Sequence, residues 1–232
     1  MIKQFKFIQL AVIFLTVLAF LPFEVLGQEE DFNIWTRYAV KYDLSSKTRI
    51  AVEEEFRFFD NASKLEQNHT ELGLSHELSS RWEGAVYYRF IYETDIDRGY
   101  SLGHRSWLQL EYRLIDKDLK VSLRSRFQTT ITDFFTSEYG RIPELYSRNK
   151  LAISYKPKDA IWIPSAGIEY WYFLNPESGN KFIDKYRAGF GLEYRQNKHF
   201  RWEAFYHLQQ QIQTSDPKTI HVIGLSGTYM IN

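Results

Sequence analysis

The 232-residue chain has no cysteine, which excludes a disulfide scaffold, a lipidated N-terminal Cys and any thiolate metal site. It has no excess of either charge, with 29 Lys and Arg against 29 Asp and Glu. The whole-chain balance therefore gives no reason to expect a nucleic-acid partner. Its histidines (His69, His76, His104, His199, His207 and His221) include no pair at the i, i+4 spacing of a metal site. No metal and no cofactor is expected. Beyond the N-terminus no apolar run reaches the ~20 residues that a membrane-spanning helix needs.

The N-terminus itself reads MIKQFKFIQLAVIFLTVLAFLPFEVLGQEE. Lys3 and Lys6 precede an apolar run over 7–21, Pro22 and Glu24 interrupt it, and Val25-Leu26-Gly27 supplies small residues for cleavage before Gln28. That is the layout of a secretory signal peptide rather than a permanent anchor. The expected division is a leader at 1–27 and one all-β domain at 28–232.

What the chain does have is aromatics, 17% of its residues, and a strict period of two. The pattern is clearest at 103–132, GHRSWLQLEYRLIDKDLKVSLRSRFQTTIT. Ser106, Leu108, Leu110, Tyr112 and Leu114 fall on one face, Arg105, Trp107, Gln109, Glu111 and Arg113 on the other. After Asp116-Lys117-Asp118 the second arm repeats this, with Leu119, Val121, Leu123, Phe127 and Ile131 opposite Lys120, Ser122, Arg124, Arg126, Gln128 and Thr130. Alternation of this kind describes a β-hairpin with one oily and one ionic face. Its arms exceed the ~5–6 residues usual in soluble strands and match the ~9–11 tilted residues that cross a bilayer.

The same alternation recurs along the chain. Arms are read at 32–44, 48–58, about 71–78, 82–92, 146–156, 166–174, 183–195, 200–212 and in a last stretch to 231. Tight turns at 45–47, 79–81, 115–118 and 196–199 alternate with polar loops at 60–67, 94–102, 133–145, 175–182 and 213–218. Aromatics gather near arm ends, with Tyr42, Trp82, Tyr112, Tyr155, Trp162, Tyr194 and Trp202 by the tight turns. Long arms, unequal connections and two aromatic girdles describe an antiparallel transmembrane β-barrel. Eleven arms are countable, whereas bacterial barrels carry even numbers. Ten or twelve strands are expected, with a hidden strand at 28–35 or 157–165, or the first arm outside the wall. Glu54 breaks the oily face of its arm and is expected near an interface or a bulge.

Several stretches resemble one family: VEEEFRFF at 52–59, LRSRFQ at 123–128, RNKLAISYK at 148–156, YRAGFGLEYR at 186–195 and HVIGLSGTYM at 221–230. Their order is similar to that of the domain-of-unknown-function 2490 family. The resemblance implies an outer-membrane β-barrel of Gram-negative bacteria and brings no substrate with it.

With the oily face outward, the ionic face lines a lumen. The middle arms contribute a basic arc of Arg105, Arg113, Lys120, Arg124, Arg126, Arg148 and Lys150, opposed by Glu111. Acidic residues Glu53, Glu55, Glu71, Glu77, Glu83 and Glu93 lie elsewhere on the circumference. Two readings stay open. One is a small porin-like channel whose basic arc draws in anionic solutes. The other is a structural or accessory barrel, its lumen filled by Arg–Glu networks, working alone or within a larger envelope complex. The aromatic loop with Phe134, Phe135 and Tyr139 is the candidate docking patch for such a complex. A hydrolase is the remote third reading, since inward His207, His221 and Ser226 fall in no motif that would bring nucleophile and base together. No catalytic residue is assigned, and the expected surroundings are outer-membrane lipid.

Overall fold

A computed structural model describes residues 29–95, 99–132, 136–137, 140–176, 182–212 and 217–231. The leader, Phe134, Phe135 and Tyr139 lie outside that set. The period-two pattern becomes strands β1 (Glu29–Asp43), β2 (Thr48–Phe59), β3 (Lys64–Glu77), β4 (Trp82–Asp95), β5 (Gly99–Asp116) and β6 (Leu119–Thr132). Two short strands, β7 (Thr136–Ser137) and β8 (Gly140–Arg141), pair only with each other. Then follow β9 (Glu144–Tyr155), β10 (Trp162–Phe173), β11 (Phe182–Arg195), β12 (Phe200–Gln211) and β13 (Lys218–Ile231).

Eleven of these strands close into a barrel, in the order β1-β13-β12-β11-β10-β9-β6-β5-β4-β3-β2. The count falls within the expected range of about ten to twelve strands, and the expectation of an even number is corrected. Residues 157–161 hold no further strand, 29–31 simply extend the first arm, and that arm is part of the wall. Parity supplies the reason. In an up-and-down series the first and eleventh strands run the same way, so they can close only side by side. β1 and β13 accordingly pair in parallel, from Glu29↔Lys218 to Tyr42↔Ile231, while every other wall pair is antiparallel. As a result the first residue of β1 and the last of β13 lie at opposite ends of the cylinder.

Two of the long loops expected from sequence are short. β2 and β3 extend until only 60–63 joins them, and β4 and β5 until only 96–98 does. The first of these is a run of left-handed residues, Asp60, Asn61 and Ala62, with φ of 54°, 54° and 62°. Such backbone is costly for residues with a Cβ. It is held by the Asp31 carboxylate, which accepts from the amides of Asp60 (3.2 Å) and Asn61 (2.9 Å). Lys64 reaches back to Asp60 at 2.7 Å, and this hydrogen bond holds the Asp60 carboxyl below the usual carboxylate range. Neither the three αL residues nor the Asp31 clasp is written in hydrophobic periodicity. Length asymmetry survives in the second half, where 133–143, 174–181 and 212–217 face turns such as 117–118 and 196–199.

The outer face is apolar around the whole circumference. Val40, Val52, Leu72, Val86, Leu108, Leu123, Leu151, Ile168, Leu192, Phe200 and Ile223 put one exposed large side chain on each wall strand. Near the tight turns, aromatics on adjacent strands meet: Trp82 with Tyr112 and Trp162 with Tyr194, each pair at 4.6 Å. Glu54 also faces outward, and the nearby bulge falls at Arg57/Phe58 instead. Its carboxylate accepts from Asn68 Nδ2 (2.6 Å) and Thr70 Oγ1 (2.8 Å) of β3. Those two donors replace part of the hydration that an apolar surround withholds.

Candidate functional site: the barrel lumen

Alternation turns every second side chain inward, so each strand contributes to the lumen in register with its neighbours. Three inward rings are large enough to need a glycine opposite, one of them His207, whose Cδ2 lies 2.2 Å from where a Cβ on Gly189 would sit. Gly224 faces Phe205 across the β12–β13 pair, and a Cβ there would sit 2.0 Å from Phe205 Cζ. Gly73 faces Tyr87 in the same way, at 2.3 Å from Cε1. The missing side chains let the rings lie down over the neighbouring strand rather than stand into the centre.

The six tryptophans divide evenly between the faces. Trp82, Trp162 and Trp202 point outward near the tight turns. Trp35, Trp107 and Trp171 point inward and are 5%, 3% and 5% exposed. The inward three lie about eight or nine residues from the tight-turn end of their strands. At ~3.3 Å per residue and ~40° tilt that is roughly 20 Å above the turns.

Arginines stack on these rings. Arg57 lies 3.9 Å over Trp35, and Arg187 lies between Trp35 (4.7 Å) and Trp171 (4.9 Å). Arg148 covers Trp171 at 4.4 Å, and Arg126 covers Trp107 at 4.4 Å. Tyr87 of β4 stacks against Trp107 of the neighbouring β5, with ring centroids 5.0 Å apart. Each guanidinium–ring contact away from water contributes on the order of 1–2 kcal/mol. Arg187 starts from β11 and reaches Trp35 of β1, three strands further round the wall. The layer thus ties separate parts of the cylinder together.

Carboxylates lock the same arginines. Glu169 of β10 receives Arg124 Nη2 at 2.6 Å and Arg148 through Nε and Nη2 at 3.1 and 3.2 Å. Glu71 receives Arg89 at 2.5–2.8 Å, and Arg89 donates on to His69 Nδ1 at 3.1 Å. That bond requires an unprotonated Nδ1, so the His69 Nε2–H donates to Gln67 Oε1 at 2.6 Å. Gln67 Nε2 in turn donates to Glu93. Glu55 pairs with Arg57 and Arg37, and Glu53 lies 3.5 Å from Arg37. Arg113 is shared by Glu77 and Glu83, both at 3.1 Å. Lys120 pairs with Asp116 at the strand end.

Among the described residues, Arg113 alone of the basic arc pairs with any of the six acidic residues read from sequence; Glu53, Glu55 and Glu71 pair with Arg37, Arg57 and Arg89 instead. The counter-charge to Arg124 and Arg148 is Glu169 rather than Glu111. Arg105 and Arg126 rest on neutral partners, Thr130 at 3.0 Å and Gln109 at 2.9 Å. Lys150 makes no hydrogen bond or ion pair among the described residues. The inward trio of His207, His221 and Ser226 does not assemble. His221 shares the parity of Ile223, faces outward, and hydrogen-bonds the Tyr206 hydroxyl at 2.8 Å. Among the described residues no group of three or more His, Asp or Glu side chains is placed to hold a metal ion.

Free space remains in the half nearer the tight turns. A cavity of about 160 Å³ is bordered by Arg37, Lys150, Glu169, Arg187, Glu203, His207 and Phe205, above a patch of small residues at 152, 165, 167, 189 and 191. A second, of about 130 Å³, is bordered by Arg37, Lys41, Glu53, Glu193, Arg201, Glu203, Ser226 and Thr228. Sequence reading missed Trp35, Phe205 and the small-residue patch. Inward position was legible for all of them, but an inward aromatic or glycine carries no charge to mark it.

No curated protein sequence matches the chain. Among solved structures the barrel is similar to the translocator domain of the autotransporter NalP from Neisseria meningitidis, at 13% identity over 76% of this chain and 72% of that one, with a TM-score of 0.38. The sequence pattern of the family described as "Protein of unknown function (DUF2490)" matches residues 32–220, from the start of β1 into β13, and the chain belongs to that family.

Proposed function

We propose that this protein spans the bacterial outer membrane and acts there as a closed, structural or accessory barrel, not as an open diffusion pore. Its apolar outside and ionic inside are the arrangement that lipid demands of a spanning β-structure. An apolar belt on every strand would be a severe aggregation liability in water. One observation carries the closed-lumen reading: Trp35, Trp107 and Trp171 with their stacked arginines fill the mid-section, and Glu71 and Glu169 pin that layer. Interlocked rings and ion pairs make the cylinder rigid and leave its two mouths as the surfaces open to partners.

The second reading, an anion channel, is favoured by the two cavities with their Arg37, Lys41, Lys150, Arg187 and Arg201 borders. Planar-bilayer recording of the purified mature chain separates the two. The closed reading expects no steady conductance above leak. Steady openings with anion preference, reduced when Arg124 and Arg126 are replaced by Glu, would establish the channel instead.

A further inference from the structure

The two cavities share Arg37 and Glu203 and descend toward the tight-turn mouth, where Arg201 and Thr228 border the lower one. Above them stands the Trp–Arg layer. On the closed-lumen reading proposed above, the two cavities form a vestibule on the turn side of that layer. Its innermost chamber exists because side chains are missing: a Cβ on Gly191 would lie 2.6 Å from Glu203 Oε1 and 3.0 Å from Ser165 Oγ, and one on Gly167 would lie 3.0 Å from Lys150 Cε.

The chamber holds donors that nothing in the fold uses. Arg187 gives one bond, from Nη2 to Gln209 at 2.6 Å, and is clamped between two indoles, while its buried Nε has no acceptor. The Nδ1 of His207 is buried and without a hydrogen-bond partner as well, and is a donor in the tautomer that carries its proton there. Lys150 makes no hydrogen bond or ion pair among the described residues, as noted above. Glu169, the nearest counter-ion, already receives Arg124 and Arg148. Buried donors left without acceptors in a native fold ask for an occupant, and guanidinium with ammonium is the chemistry that takes oxyanions.

We propose that this chamber, bordered by Lys150, Arg187 and His207 over Gly167, Gly189 and Gly191, is a binding site for one small oxyanion, a phosphate or a carboxylate. A volume of about 160 Å³ leaves room for such an ion. Glu203, whose carboxylate lies beside Gly191, borders the chamber and sets the affinity low enough for the ion to leave. The site holds whether or not the lumen conducts.

The test is titration calorimetry on the folded mature chain in detergent, with inorganic phosphate in one arm and acetate in the other. At least one is expected to bind saturably at one ion per chain, and the arm that binds identifies the oxyanion. Lys150→Met and Gly191→Ala are each expected to weaken binding at least tenfold, the first by removing charge and the second by filling the chamber. Glu203→Gln is expected to tighten it several-fold. Circular dichroism and gel mobility of unheated samples confirm that each variant is folded. Absence of saturable binding in both arms overturns the proposal, as does binding that Lys150→Met and Gly191→Ala leave unchanged.

Discussion

Glu169→Gln is the substitution to which the lumen should be most sensitive. The side chain is 6% exposed and its two oxygens serve two arginines, Arg124 at 2.6 Å and Arg148 at 3.1–3.2 Å. The amide has nearly the same shape, so the change removes charge and leaves packing intact. Two guanidinium groups then remain in a confined lumen without their counter-ion. Removing one partner of a buried ion pair costs about 3–5 kcal/mol. Arg124 keeps 19% exposure and some water, so the lower end applies, about 3 kcal/mol. Urea unfolding in phospholipid vesicles, followed by tryptophan fluorescence, reads the loss directly. With a slope of roughly 2 kcal/mol per molar urea, the midpoint should fall by about 1.5 M. Adding Arg148→Met to Glu169→Gln should recover part of the loss, because fewer unpaired charges remain. A Glu169→Gln protein within about 1 kcal/mol of wild type would refute the reasoning, since it would mean that water screens these charges as it does at a surface.

Three further outcomes follow from the fold. Gly224→Ala puts a methyl group 2.0 Å from Phe205 Cζ, so the ring must leave its place over β13; a loss of about 2 kcal/mol is expected in the same unfolding assay. Asp31→Ala removes the acceptor for the amides of Asp60 and Asn61 and should cost about 1 kcal/mol. Because β1 and β13 run in parallel, an epitope placed just before Glu29 and one placed after the last strand should lie on opposite sides of the membrane, which antibody labelling of intact and permeabilised cells would score.

Much of this architecture is legible in the sequence because one physical rule, the period of two, governs both strand existence and facing. Ile34 and Arg37, Leu108 and Arg105, Ile168 and Glu169 separate onto their observed faces without any knowledge of neighbours. What periodicity cannot carry is anything decided by a partner strand. The β1–β13 closure depends on strand count and not on any local signal. Pairing of Glu169 with Arg124 joins residues 45 positions apart, so the counter-charge to Arg124 and Arg148 cannot be read from either arm alone. His221 was legible and misread, for it keeps step with Ile223 and faces outward. The left-handed turn at 60–62 escaped notice because an aspartate thirty residues away holds it.

The facing of the tryptophans offers the most direct test of the account. Six variants, each keeping one tryptophan, can be folded into vesicles containing brominated lipid, which quenches indoles that touch acyl chains. Trp82, Trp162 and Trp202 should be quenched, while Trp35, Trp107 and Trp171 should keep their emission in both brominated lipid and aqueous acrylamide. Quenching of Trp35, Trp107 and Trp171 by the lipid, with the other three untouched, would contradict the assignment of outside and inside.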